Sequence, residues 1–186
     1  MMRTWFNIVS VVGLALAMAG CAPPAPHLAL GPDGRPLPVL YRIDPAQQAR
    51  IEFRVLDRVN ALRASAGVRP LAFSPQLTAA AATHARDMAA QDSPSHHGTD
   101  GSLPTDRARR AGYRGTALGE AVAETYEPEL ATIATWMGRA DTRDVIIDPQ
   151  ARDLGVAFHQ DPSGKIWWTL VVGDGQIRGA DDGPAR

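Results

Sequence analysis

Residues 154–172 constrain the architecture more than any other stretch of this chain. Leu154, Val156 and Phe158 alternate with Gly155, Ala157 and His159, the period of two that a strand with unequal faces requires. Asp161-Pro162-Ser163-Gly164 has turn chemistry, and residues 165–172 are rich in strand-forming side chains, so the segment reads as a β-hairpin. Upstream, the apolar residues follow helical spacing instead. Helices that precede and flank locally paired strands point to an α+β fold with an antiparallel sheet.

Two helix starts are written in the same chemistry. Asp44-Pro45 and Ser74-Pro75 each place a capping side chain before a proline at the first helical position. After the first, Ile51, Val55, Val59 and Leu62 form one stripe, and Gly67 ends the helix. After the second, Leu77, Ala81, His84, Ala85 and Met88 form a stripe dense in alanine, which allows close packing. His84 on that stripe reads as a buried structural histidine. Residues 93–103 read as a loop. Residues 104–111 read as a short helix with Arg107, Arg109 and Arg110 on a solvated face. Residues 117–125 read as a strand or extended segment. Residues 128–136 form another helix, with Leu130, Ile133, Ala134 and Met137 facing inward.

The front of the chain has a different character. Arg3 precedes an apolar run over residues 6–19, broken only by Asn7 and Ser10. The run is shorter than the ~20 residues of a spanning helix but suits a signal segment over residues 1–20. Met18-Ala19-Gly20-Cys21 resembles a bacterial lipobox, in which the cysteine is acylated. Cys21 is the single cysteine of the chain, so it has no internal disulfide partner. The Pro-rich residues after it read as a tether over 21–43. A lipidated Cys21 makes the membrane a partner and the cell envelope the location, an outer membrane facing the periplasm where one exists. Ordinary secretion after cleavage near Ala19 is the alternative. The globular domain then spans 44–173, and 174–186 read as a disordered tail. With 19 basic and 20 acidic residues the formal net charge is −1, which gives no support for nucleic-acid binding.

The chemistry-bearing residues lie in Gly-punctuated sequence: Ser95-His96-His97-Gly98-Thr99-Asp100-Gly101, then Arg107, Ala111-Gly112-Tyr113 and Gly119-Glu120. Trp136-Met137, residues 153–158 and Trp167-Trp168 follow in order. This series, over roughly residues 55–173, resembles the CAP superfamily of cysteine-rich secretory, venom-allergen and pathogenesis-related proteins, most closely its cysteine-poor bacterial branch. The resemblance implies a three-layer α-β-α sandwich with a mainly antiparallel sheet. It also implies a cleft lined by two histidines and two acidic residues. His96 and Glu120 take two of those positions and are the candidate catalytic pair. The other two positions carry Arg139 and Thr142.

One imidazole and one carboxylate make at best a weak divalent-metal site, and no other cofactor is expected. Asp141, or Glu124 four residues after Glu120, stands near enough in sequence to restore a carboxylate. His97 is a further candidate, and His159 reads as an edge histidine in contact with water. A hydrolase needs an activated nucleophile, and Ser95 and Ser102 lie near His96 without a Gly-x-Ser-x-Gly elbow. Two functions therefore compete. One is a binding module whose cleft takes a lipid, cell-wall or protein ligand, with Tyr113, Trp136, Trp167 and Trp168 as candidate aromatic surfaces. The other is a metal-assisted hydrolase in which the His96–Glu120 pair activates water.

Overall fold

Both predicted helix starts form as capped turns. The computed structural model describes residues 40–175. The Asp44 side chain accepts from the Ala46 amide at 2.9 Å, and a single 3-10 turn, Pro45–Gln47, leads into α1, Gln48–Ser65. Ser74 Oγ accepts from the Leu77 amide and starts α2, Pro75–Gln91. Three shorter helices follow: α3, Pro104–Arg110; α4, Glu129–Met137; and α5, Ala140–Ile146.

Four strands form one sheet in the order β1-β3-β4-β2, where β1 is Ala72–Phe73, β2 Ala117–Thr125, β3 Asp153–Gln160 and β4 Ile166–Gly173. The hairpin forms as its alternation predicts, with Asp153 opposite Gly173 and Gln160 opposite Ile166. β2 pairs antiparallel with β4, Glu120 opposite Val171. Two-residue β1 runs parallel to β3, so the sheet is mixed. A strand that short carries no periodicity by which sequence could reveal it.

Period-two alternation then divides the core. Leu154, Val156, Ile166, Trp168, Leu170 and Val172 face α1, α4 and α5. Ala157, Val171, Leu77, Ala81 and Ala108 pack together on the side of α2 and α3. This is the three-layer α-β-α arrangement. The second layer is tight because its residues are small. A Cβ placed on Gly155 would lie 2.2 Å from the backbone of Leu77, so α2 sits directly on β3.

The neighbouring tryptophans Trp167 and Trp168 point to opposite faces, and both are buried with Trp136 and Tyr113. Tyr113, Trp167 and Trp168 therefore form no aromatic surface. The inward face of α4 also differs from the expected set. Leu130 and Ala134 are exposed, while Ile133, Trp136, Thr132 and Glu129 are buried. Trp136 Nε1 donates to the Val122 carbonyl at 3.1 Å, and Glu129 receives Arg54 and Tyr41. These polar anchors roll the helix away from its purely apolar orientation.

Arg63 has the most unexpected role. It continues the α1 stripe of Ile51, Val55 and Val59 and is fully buried. Its guanidinium donates to the carbonyls of Arg69 (2.7 Å), Ile146 (2.8 Å), Asp148 (3.0 Å) and Ala151 (3.3 Å). One side chain thus satisfies the loop after α1 and the connection from α5 to β3, where backbone acceptors would otherwise be orphaned.

At the front edge, residues 40–43 run along the hairpin. Arg42 donates to the Pro162 carbonyl, Gln160 Oε1 accepts from the Ile43 amide, and Gln160 Nε2 donates to the Tyr41 carbonyl. At the other end the Asp174 side chain accepts from the Thr116 amide, and the Gly175 amide donates to the Tyr113 hydroxyl. The expected signal segment, the Cys21 anchor, most of the tether and the tail from 176 lie outside the described residues. Among the described residues no helix is long and apolar enough to cross a membrane.

Arg63→Leu keeps the apolar stem but removes all four donors. It is expected to cost at least about 3 kcal/mol, since each buried carbonyl left unpaired costs ~1–3 kcal/mol. Urea unfolding should show a lower midpoint at unchanged slope. An unchanged midpoint would show that the carbonyls find other partners.

Candidate functional site

The loop after α2 is shaped before it carries any chemistry. Asp92 ends the helix in the left-handed region, φ 48°. Buried His84, on the inward stripe of α2, then holds the Ser95 carbonyl at 2.6 Å through Nε2. Gly98 and Gly101 close a small turn, with the Gly98 amide donating to the Ser102 carbonyl at 2.9 Å. Gly101 has φ +75°, which favours glycine, and a Cβ on Gly98 would crowd the Ser102 hydroxyl at 2.6 Å. Asp87 of α2 receives the Thr99 amide and hydroxyl and ties the turn back to the helix.

Glu120 projects from β2 into this assembly with a side chain only 1% exposed. Oε1 takes His96 Nδ1 at 2.9 Å, and Oε2 takes Arg107 Nη2 at 2.7 Å. Arg107 also donates to the carbonyls of Ser102 (2.7 Å) and His96 (3.2 Å). The sequence placed Arg107 on a solvated face with Arg109 and Arg110. The structure corrects this: Arg107 is buried, while Arg109 and Arg110 remain outside on Asp106 and Asp100. A carboxylate buried in a sheet needs a cation, and α3 turns Arg107 inward to supply it.

Two histidines meet this carboxylate with opposite results. The hydrogen bond to Glu120 raises the pKa of His96 above its usual value, against an opposing effect of partial burial. Asp141 adds a smaller upward push. Burial lowers the pKa of His84 despite Glu120 Oε1 at 3.7 Å from its Nε2. His84 therefore serves as a neutral donor to Ser95, in the structural role its place on the α2 stripe predicts. His96, with 53% of its side chain exposed, is the histidine that meets solvent. Its Nδ1 faces Glu120, so Nε2 is the nitrogen left for a ligand.

His96 lines a cleft of about 440 Å³ along the open edge of β2, walled by Val122, Trp136, Arg139, Asp141 and Thr142. Arg139 does reach this cleft, but Asp141 Oδ2 holds its Nη2 at 2.7 Å. The buried Thr142 hydroxyl donates to the Trp136 carbonyl at 2.7 Å. Glu124 also lines the cleft and pairs with Lys165 at 2.7 Å. His97 is exposed; its amide donates to Ser95 Oγ, which leaves that hydroxyl in a local turn. His159 is half-buried opposite Trp167 and takes no part. Both Glu120 oxygens are already engaged. Among the described residues no three His, Cys, Asp or Glu side chains converge as they would around an ion. The donor set does not fit a tetrahedral zinc site.

The chain matches the cysteine-rich secretory protein family over residues 56–172. It is 25% identical over 129 residues to the uncharacterized protein YkwD of Bacillus subtilis, covering 69% of this chain and 49% of that protein. The chain thus spans about half the length of this relative. Among solved structures, an extracellular SCP-domain protein of Bacillus anthracis superposes with a TM-score of 0.64 at 19% identity, over 73% of this chain and 45% of that one. An outer surface protein of Borrelia burgdorferi gives 0.62 at 14% identity, over 73% of this chain and 98% of that one. At these identities the structural likeness concerns the fold.

Arg107→Ala would leave Glu120 buried without its cation. The expected cost is about 3–5 kcal/mol of stability in chemical denaturation; a cost near zero would mean that Glu120 is not ionised there. His96 adds a pH signature. A folded-state pKa above the unfolded value of ~6.5 makes its contribution complete below that pH. The contribution fades as pH rises through the raised value. The Tm difference between wild type and His96→Ala should accordingly be larger at pH 6 than at pH 8.5. Equal differences would contradict the pairing.

Proposed function

Because the chain belongs to the cysteine-rich secretory protein (CAP) family, we propose that it is an envelope-anchored binding module of the bacterial type. Its ligand, a lipid, cell-wall fragment or protein segment, sits in the cleft beside His96. The observation that carries this reading is the full engagement of Glu120. A carboxylate that accepts from both Arg107 and His96 and is only 1% exposed is shut off from a water in the cleft. His96 is instead held at a fixed angle with one nitrogen toward the cleft, as a recognition group is. The same orientation by a carboxylate also suits a general base, which keeps hydrolysis as the competing reading.

The lipobox-like Met18-Ala19-Gly20-Cys21, which would carry a lipid on Cys21, supports the envelope location. So does the likeness to two proteins described as extracellular and as an outer surface protein. Cys21→Ala should release the protein from membranes and remove the mass of the acyl groups. An unmodified, soluble wild type would overturn the anchor.

For the cleft, calorimetry with zinc should show weak or no binding to the wild type, and Thr142→His should strengthen it by restoring an imidazole. Tight stoichiometric zinc in the wild type would contradict the binding reading and favour the metal-assisted one, as would chelator-sensitive hydrolysis of peptides or esters. Mass spectrometry of material co-purified from the native envelope should find a ligand retained by the wild type and lost from His96→Ala.

A further inference from the structure

β2 is an outer strand of the sheet, paired on one side only, with β4. The direction of its free backbone groups follows from β4. The Lys165 carbonyl accepts from the Asp161 amide at 3.0 Å, and the Gly173 carbonyl from the Arg152 amide at 2.7 Å. The odd-numbered residues of β4 thus face β3, and the even-numbered ones face Gly119, Ala121, Ala123 and Thr125 of β2. Glu120, Val122 and Glu124 then point their N–H and C=O groups out of the sheet. Trp136 Nε1, on the Val122 carbonyl at 3.1 Å, marks the same direction.

This edge is accessible in the His96 cleft. Glu120 is buried, and the cleft exposes the stretch from Val122 to Glu124. Among the described residues the outward Val122 amide and the Glu124 amide and carbonyl have no hydrogen-bond partner. His96 stands on the α2 side of the strand, and Trp136 and Thr142 stand on the side of α4 and α5. The neighbouring charges are matched to one another, Arg139 with Asp141 and Glu124 with Lys165. A ligand therefore meets main-chain groups between two walls, with no unpaired charge to draw it.

We propose that the cleft takes its ligand as an extended peptide that adds to β2 as a fifth strand. This rests on the binding role proposed at His96 and names the class of ligand. In antiparallel register one peptide residue exchanges both hydrogen bonds with Glu124, and a second, two positions away, accepts from the Val122 amide. The two amides stand ~6.7 Å apart along the strand, the spacing at which an extended chain presents successive carbonyls on one edge. A hydrocarbon tail offers neither donor nor acceptor there. Trp136 withholds the Val122 carbonyl, so the ladder is short and side chains supply the remaining affinity. Alternate peptide side chains fall beside His96 and against the α4–α5 wall.

The test selects peptides from a displayed library of random heptapeptides on the full chain and measures the synthesised peptides by calorimetry. They are expected to bind one per chain. The Val122 and Glu124 amides should exchange with solvent quickly in the free protein and slowly in the complex. Those of Ala121 and Ala123, already paired with β4, should not change. N-methylation should weaken binding at alternate peptide residues, those facing β2, and be tolerated between them. Glu124→Pro removes one outward N–H at an edge position, where proline is tolerated. It should weaken binding about three- to tenfold relative to Glu124→Ala, the effect of one main-chain hydrogen bond. If that variant does not fold, the exchange and N-methylation results decide alone. The proposal is overturned if no peptide is selected, if bound peptides leave both amides in fast exchange, or if N-methylation is tolerated throughout. A non-peptide ligand that shifts His96 while both amides stay fast would overturn strand addition and leave the binding role standing. A cleft that takes no ligand of any kind would overturn both.

Discussion

A buried carboxylate organises one whole side of this protein. Glu120 sits on β2 with almost no solvent, and an ion in that position is tolerated only with close, well-directed partners. Arg107 supplies the charge, and its remaining donors fix the Ser102 and His96 carbonyls. His96 closes the other oxygen. Three successive segments, the loop after α2, α3 and the edge strand, are thereby held in one arrangement. The interaction that stabilises them is also the one that sets the angle of His96 at the cleft.

That arrangement separates two chemically identical side chains. His84 and His96 both lie near Glu120, yet burial lowers the pKa of the first and a short hydrogen bond raises that of the second. One becomes a neutral strut under the loop. The other becomes a charge-capable group facing solvent. The proposed binding role rests on this division, since the carboxylate is buried between the histidine and Arg107 and does not meet solvent. On the far face of the sheet Arg63 acts in a similar way, binding four backbone carbonyls from α1. Both devices use arginine to fasten loops without any disulfide among the described residues.

The hairpin, the two capped helices and the pairing of His96 with Glu120 were legible in the sequence. Each rests on local spacing, turn chemistry or a motif whose parts lie in one order. Arg107 and Arg63 were not legible as buried groups, because an arginine at helical spacing looks the same whether it faces water or a distant carbonyl. Their partners are set by tertiary packing. One signal did exist for Arg107: a glutamate flanked by Leu118, Ala121 and Val122 in a strand demands a cation somewhere. The rotation of α4 escaped for the same reason, since the pull of Trp136 on the Val122 carbonyl and of Arg54 on Glu129 outweighs the apolar pattern. β1 and α5 are too short to announce themselves by periodicity.

The central claim is that Glu120, as a carboxylate, orients and charges His96. Proton NMR titration of the His96 ring in the wild type and in Glu120→Gln tests it directly, with amide spectra confirming that the variant keeps its fold. The wild-type midpoint is expected above ~6.5, and the variant midpoint clearly below that of the wild type. The same midpoint in both proteins would show that His96 does not depend on Glu120, and the account of the site would fall.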